Sequence, residues 1–303
     1  MNPTARRWTA RRARAAPAAA AAAAAALLAA SPVRAAEPAP ADAMPGFPVG
    51  EELVYRIHWG KIPVGEARAT TAWTEWQGRR VLAIRFRTRS NNFLSALYPV
   101  DDTIESLVDP DGFRTLQFVK RLNEGSHHYD QTTTFDWTNR TAHWVSKLDG
   151  RERRFPIEDD TRDIPTLMYA LRAQGFEPHG TRRFRVMADE KIYDMEAVGL
   201  GEEKVRLPKY GRVPCVKVEP KASFQGVFVR KGRMFVWATR DARHLAVRIS
   251  VEVPVARVWL TLYQVRGPGD DFWVGKEKGG AGGGEGGDDA EVGAENDEPA
   301  GEP

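Results

Sequence analysis

The segment from Leu245 to Leu262 alternates between apolar and polar side chains, and this alternation limits the possible folds more than any other feature. Its first half is apolar at every second position: Leu245, Val247, Ile249, Val251 and Val253. After Pro254 the apolar residues Val258, Leu260 and Leu262 occupy even positions, which predicts a bend, a bulge or a turn at the proline. A period of two is typical of strands with one face in the core and one in water. The segment therefore predicts antiparallel sheet.

The rest of the body repeats this pattern between turn-forming residues. In residues 81–90, Ile84 and Phe86 alternate with arginines, and residues 129–138 set aromatic side chains against aspartate and threonine. Five turn sequences separate such runs: Gln77-Gly78, Asp109-Pro110-Asp111-Gly112, Glu124-Gly125, Thr138-Asn139 and Asp149-Gly150. Their spacing of roughly ten to thirty residues predicts long strands in meander order, as in a barrel or a strongly curved sheet.

Residues 163–175 break the strand pattern and predict a helix. Asp163 is suited to the N-cap, Pro165 to the first turn and Gly175 to the C-terminal stop. The apolar stripe of this helix consists of Leu167, Ala170 and Leu171, with Ile164 and Met168 beside it. We therefore predict a mainly β fold, a curved antiparallel sheet or partly open barrel with one principal helix packed on its concave face.

The two ends of the chain differ in composition from the body. Residues 1–36 place arginines before an alanine-rich run and small residues, the layout of a secretory signal cleaved after Ala35 or Ala36. A membrane anchor is the alternative, but the apolar run is shorter than the ~20 residues that span a bilayer. Residues 37–46 are predicted to be a short linker, 47–266 a single β-rich domain, and 267–303 a disordered, Gly-rich acidic tail. The mature chain is then periplasmic (or secreted), without a transmembrane segment, and exported by the general or the twin-arginine route.

The charge of the mature body gives no support to nucleic-acid binding. The whole chain carries a formal charge of +3, with six arginines in the leader and nine acidic and two basic residues in 275–303. Residues 37–274 are therefore left with about +4 and no dense basic patch. Cys215 is the only cysteine, which excludes an intramolecular disulfide, and its strand-like surroundings predict a buried, inert thiol.

The sequence contains no established catalytic motif, and we predict no cofactor, no metal and no catalytic residue. His128 and Asp130 share a strand face, which is only a two-ligand fragment, so exposed strand residues are the better interpretation. The carboxylates Asp101, Asp102 and Glu105 lie together, and loop capping or surface solvation is the default interpretation for them. Tryptophans in the strands line either an ordinary core or an apolar cavity.

The stretch HWGKIPVGEA, residues 58–67, interrupts strand pattern with two glycines and a proline. Alternation from Leu53 predicts a first strand that ends at Trp59, followed by a turn or wide bulge over residues 60–63. Gly65 then allows the next strand, over residues 66–73, to begin close to a neighbouring strand. We interpret the stretch as a hairpin, with ligand contact as the alternative.

Four segments in order resemble an uncharacterised family of exported bacterial proteins, the domain of unknown function DUF3108. They are GEELVYRIHWGKIPVGEA, FLSALYPVDDTIES, DIPTLMYALR and KGRMFVWATRDARHLAVRI, and the resemblance extends over residues 50–263. Matching positions are Tyr55, Gly65, Tyr98, Asp102, Glu105, Tyr169, Arg172, Trp237 and Asp241, while Ala246 departs from the proline that is usual there. The resemblance implies an envelope location and a β-rich fold, and it supplies no activity.

Together these observations predict a non-enzymatic binding protein in envelope maintenance, with an apolar or amphipathic, lipid-like ligand held between sheet and helix. The candidate ligand-binding residues are Tyr55, Trp59, Tyr98, Tyr169, Arg172 and Trp237. One alternative is a scaffold that binds another envelope protein through exposed strand edges and the acidic tail. The other is a hydrolase of envelope glycan or lipid that uses Asp102, Glu105 or Asp241.

Overall fold

The structure is a computed structural model that describes residues 46–224, 227–228, 233–253 and 256–270. The predicted leader, its cleavage site and nearly all of the predicted linker lie outside the described residues, as does the tail beyond residue 270. Within the described part, no helix is long and apolar enough to cross a membrane.

The described residues form sixteen strands and two helices. The first half of the chain contains β1 (Glu52–Trp59), β2 (Ile62–Trp76), β3 (Arg79–Ser90), α1 (Asn92–Ser95), β4 (Asp101–Asp109), β5 (Arg114–Glu124), β6 (His127–Asp136), β7 (Thr141–Ser146) and β8 (Glu152–Pro156). The second half contains β9 (Thr161–Asp163), α2 (Ile164–Arg172), β10 (Thr181–Ala188), β11 (Lys191–Leu207), β12 (Gly211–Phe224), β13 (Val227–Phe228), β14 (Met234–Thr239), β15 (Ala246–Val253) and β16 (Ala256–Arg266). All five predicted turn sequences lie at the junction of two consecutive strands, and Asp109 and Glu124 are the last residues of β4 and β5.

All the strands belong to one sheet in the order β8-β7-β6-β5-β4-β3-β2-β1-β16-β15-β14-β12-β11-β10-β9, with β13 paired to β12. Every pairing is antiparallel except the short parallel contact of β9 with β10. The hairpin of β15 and β16 accounts for the change of parity around Pro254. The prediction of a mainly β, antiparallel sheet in meander order is confirmed.

The sheet is strongly curved but is not closed by backbone hydrogen bonds. Helix α2 contacts both β4 and β10, which lie nine places apart in the strand order, so the sheet bends around the helix. The two ends meet through side chains: Met187 of β10 packs in a buried cluster with Phe118, Phe135, Ala142 and Ile157. The predicted helix on the concave face is thus confirmed, and the sheet is open.

Helix α2 begins as the sequence predicts and buries more of its surface than predicted. Asp163 is the N-cap, and its side chain accepts a hydrogen bond from the Thr166 N–H at 2.8 Å. Ile164, Leu167 and Leu171 of the predicted stripe are buried, but Ala170 and Met168 are only half-buried. Tyr169 and Arg172 are buried instead, because the curved sheet encloses the helix on more than one side.

The HWGKIPVGEA stretch is a hairpin, although its second strand starts earlier than predicted. β1 ends at Trp59 and β2 already begins at Ile62, so only Gly60 and Lys61 form the turn. A register shift between Ile57 and His58 accommodates the proline inside β2. Gly65 allows a close approach of β3, since a Cβ atom there would lie 2.3 Å from the backbone oxygen of Arg89.

This close approach makes Gly65 sensitive to the smallest substitution. Gly65→Ala is expected to lower the free energy of unfolding by about 1–3 kcal/mol, because the added methyl group must displace backbone. Gly112→Ala is the matched control, since a Cβ there meets only the Arg114 side chain at 3.5 Å. Urea denaturation of both variants tests this, and equal stability of the two would contradict it.

Candidate functional site

One end of the curved sheet, which we call the rim, brings three chain segments together. They are the β1–β2 turn, residues 91–100 with α1, and the β5–β6 turn. Backbone hydrogen bonds join them: the Asn91 N–H donates to the Val64 oxygen, and the Gly125 N–H to the Pro99 oxygen, each at 2.8 Å. The rim therefore positions α1 beside the open end of the concave face.

A small crevice opens at the rim between α1 and the sheet. Its apolar lining consists of Ile57, Trp59, Val64, Leu94, Val100 and Val258, and Gly65, Thr88, Arg89 and Ser90 complete it. The crevice has a volume of about 30 Å³, which is room for a water or a small alkyl group. Trp59, a predicted ligand-binding residue, lies in this wall.

Large apolar side chains are exposed around the crevice. Ile62, the first residue of β2, is 46% exposed, and Phe93 and Leu97, in and just after α1, are 58% and 78% exposed. Single exposed apolar residues are ordinary, whereas a group of them at one end of a sheet makes this surface a candidate site. None of the residues of α1 is buried, so the helix is attached to the rim by few contacts.

A buried pair of carboxyl groups lies beside the crevice. Asp102 is 3% exposed and Glu124 is 5% exposed, and Asp102 is the cross-strand partner of Thr88 in the crevice wall. Burial raises the pKa of Asp102 to about 7; the Asn123 N–H opposes this shift and Glu124 adds to it. Burial also raises the pKa of Glu124, against the effects of Asp102 and Lys120.

The interior next to α2 holds a different polar group, a buried ion pair. Arg172 donates to both carboxylate oxygens of Glu51, at 2.5 and 3.0 Å, and its Nε donates to the Arg243 oxygen at 3.3 Å. The guanidinium lies over the rings of Phe47 and Tyr169, 5.4 and 5.1 Å from their centroids. Burial alone would lower the pKa of Arg172, but the bonds and charge of Glu51 raise it overall.

The six predicted ligand-binding residues do not form one site. Tyr55, Tyr169 and Arg172 lie together in the interior, beside a cavity of about 40 Å³ between α2 and the sheet. Burial raises the pKa of both tyrosines. Trp59 lies in the crevice, and the Tyr98 ring lies at the rim against Gly125.

Trp237, the sixth of these residues, belongs to the outer face of the sheet. Its strand neighbours Val236 and Ala238 line the interior cavity, so Trp237 points the other way. Its indole N–H donates to Glu203 at 2.6 Å, and its ring lies 6.0 Å from that of Trp259. The binding roles of all six residues stay predictions.

The carboxylates proposed for hydrolysis do not converge either. Glu105 pairs with Arg85, and Asp241 accepts hydrogen bonds from the Thr239 hydroxyl and the Arg243 N–H. Surface solvation suits Asp101, which pairs with Arg87 and Arg89, but it is wrong for Asp102. Strand alternation turns the Asp102 side chain inward, where it is buried beside Glu124. The sequence analysis did not identify Glu124 as the partner of Asp102.

His128 and Cys215 are the remaining residues that the sequence analysis considered. His128 is exposed, and its Nδ1 contacts the Asn123 side chain at 3.1 Å. Over the described residues, no group of three or more His, Cys, Asp or Glu side chains is placed to hold a metal ion. Cys215 is buried as predicted, and burial raises the pKa of its thiol to about 12.

The family resemblance is confirmed by comparison with known families. A model described as a protein of unknown function (DUF3108) matches residues 54–262. The chain belongs to the DUF3108 family. No curated protein matches this DUF3108 chain.

Among solved structures, the chain is similar to a β-barrel-like protein of domain of unknown function DUF1849 from Brucella abortus. The two share 11% sequence identity with a TM-score of 0.49, over 72% of this DUF3108 chain and 97% of the other.

The interior ion pair can be tested by removing one partner or both. Glu51→Ala is expected to cost about 3–5 kcal/mol of unfolding free energy, because it leaves the Arg172 guanidinium buried and unpaired. The double variant Glu51→Leu/Arg172→Met should recover most of this loss, since apolar side chains need no partner there.

Glu66→Ala is the control for this series, because Glu66 pairs with Arg68 at the surface and its loss should cost less than about 1 kcal/mol. Urea denaturation of all three variants gives the comparison. Equal losses for Glu51→Ala and Glu66→Ala would show that the interior pair does not organise the fold.

Proposed function

We propose that this chain is an exported periplasmic protein that binds an apolar or amphipathic, lipid-like ligand at the rim, without catalysis, in envelope maintenance. The observation that carries the proposal is the group of exposed apolar residues, Ile62, Phe93 and Leu97, beside an apolar crevice. Soluble domains keep such side chains apart unless they contact a ligand or partner. The leader-like residues 1–36 support the export part of the proposal.

The volumes of the cavities define how the ligand is held. The crevice holds about 30 Å³ and the interior cavity about 40 Å³, whereas pockets that enclose a small molecule hold ~300–1,000 Å³. A groove of about 440 Å³ on β10 and β11 is large enough, but charged side chains form most of its lining, which does not suit an acyl chain. The ligand therefore lies across the rim, with an alkyl segment inserted under α1. Displacing α1 costs little, because none of its residues is buried.

This arrangement differs from the expectation of a ligand held against the principal helix. The space beside α2 is occupied by Tyr169 and by the ion pair of Arg172 with Glu51. Opening it would separate two buried charges, whereas the residues of α1, which cover the crevice, are half-buried or exposed. The proposed ligand is still held between sheet and helix, but the helix is α1.

The two alternative functions have weaker support. The edge strand β8 carries the exposed cations Arg153 and Arg154 and ends at Pro156, features that discourage pairing with a partner strand. The carboxylates Asp102, Glu105 and Asp241 lie apart, so these three residues do not form the acid and base pair that was predicted for a hydrolase.

Native mass spectrometry of the exported, full-length chain with myristoyl lysophosphatidylglycerol tests the proposal. We expect one bound probe molecule per chain and no binding of glycerophosphoglycerol, the same headgroup without its acyl chain. Phe93→Ser/Leu97→Ser should weaken binding by about tenfold or more, because burying each side chain contributes about 1.5–3 kcal/mol.

Leu200→Ser is the matched control, since Leu200 is also exposed (40%) but lies within β11, away from the rim. It should bind the probe as the unmodified chain does. Equal binding by the rim variant, or no binding by the unmodified chain, would refute the proposed function.

A further inference from the structure

The segment that carries α1 returns to the sheet through a short joint with the end of β5. Val100 forms an isolated bridge with Glu124, and the Gly125 N–H donates to the Pro99 oxygen at 2.8 Å. The side chain of Asn123 donates to the Asp101 oxygen at 3.1 Å, and its backbone N–H donates to Asp102 Oδ1 at 2.8 Å. The ring of Tyr98 covers Gly125. This joint fixes how closely α1 lies over the crevice.

Asp102 and Glu124 face each other inside the joint. Asp102 Oδ2 and Glu124 Oε1 are both fully buried and find no hydrogen-bond donor among the described groups. The two carboxyl groups are within hydrogen-bonding reach of one another. Two carboxylates in this position would repel each other, whereas one shared proton would form a strong O–H···O⁻ bond and satisfy both orphaned oxygens.

The charged groups around Asp102 and Glu124 do not take the place of the shared proton. Asp101, next along β4, is engaged by Arg87 and Arg89 at the surface, and the Lys120 ammonium is paired with Asp189. The Tyr98 phenol lies near both carboxyl groups, and burial raises its pKa, so it carries no charge there. The His128 ring contacts Asn123 rather than either carboxyl group. Lys120 is thus the cation that acts on Glu124, and its ammonium group is already paired with Asp189.

We propose that the Asp102–Glu124 pair is a proton-dependent latch, which holds the α1 segment over the crevice while the carboxyl groups share a proton and releases it when that proton is lost. Opening of the latch is a property of the chain by itself. Its consequence for ligand entry rests on the proposed function.

The direction of the pH dependence follows from proton linkage. In the closed latch the pKa of Asp102 is about 7, and in an open, solvated joint it returns to its ordinary value near 3.8. Between these values the closed state binds one more proton than the open state, so opening becomes easier as pH rises. Above about pH 7 both states are deprotonated, and the opening equilibrium stops changing with pH.

Amide hydrogen exchange of the full-length chain at pH 5, 6, 7 and 8, corrected for intrinsic exchange rates, measures this opening. Protection of peptides covering residues 91–102 and 121–128 should fall about tenfold per pH unit up to pH 7 and then level off. Peptides from the central pairing of β1 with β16 serve as the internal reference and should not follow this profile.

Asp102→Asn removes the titration and keeps the hydrogen bonds, because an amide group accepts from the Asn123 N–H and donates to Glu124. Its protection should be independent of pH. The protection of Glu124→Gln should likewise be independent of pH, and this variant tests the latch if Asp102→Asn does not fold. Asp101→Asn, the same change one residue away at the surface, should keep the unmodified profile.

A flat profile in the unmodified chain, or an unchanged slope in the neutral variants, would overturn the latch. Uptake of myristoyl lysophosphatidylglycerol should be faster at pH 8 than at pH 6 in the unmodified chain, and independent of pH in Glu124→Gln. Exchange that depends on pH while uptake does not would retain the latch and overturn its link to the crevice. Absence of probe binding at any pH would refute the proposed function alone.

Discussion

The ion pair between Arg172 and Glu51 is the interaction on which the rest of the structure depends. It ties the end of α2 to the residue just before β1, which lies near the middle of the strand order. Burying two charges is costly unless both are fully bonded, so the pair tolerates only one placement of the helix. With α2 fixed in this way, strands from both halves of the sheet close around it, and Tyr169 packs between Phe47 and Phe86.

A filled interior has a direct consequence for function. Many curved sheets enclose a ligand, but here α2 occupies the concave space and leaves cavities of only about 30 and 40 Å³. Apolar surface available to a ligand therefore concentrates at the rim, where Phe93 and Leu97 are exposed and α1 is held by few contacts. The helix α1 thus combines few packing contacts with exposed apolar side chains in and just after it.

Buried charged groups have different partners at the rim and in the interior. In the interior the guanidinium of Arg172 neutralises Glu51, and the bonds and charge of Glu51 raise the pKa of Arg172 further. Asp102 and Glu124 have no such partner and depend on a proton, which the solvent removes near neutral pH. One fold thus contains an ion pair in its interior and a pair of carboxyl groups at its rim.

The sequence by itself determined the features that local patterns encode. Period-two alternation predicts the strands, capping residues predict α2, and the four family segments indicate the DUF3108 membership. Only the tertiary structure decided which distant side chains meet. Glu51 and Arg172 are 121 residues apart, and Asp102 finds Glu124 across the β4–β5 pairing, so neither contact leaves a periodic signal in the chain. Alternation shows which face a side chain occupies, but strand register and sheet curvature set its neighbours, and these depend on the packing of the whole core.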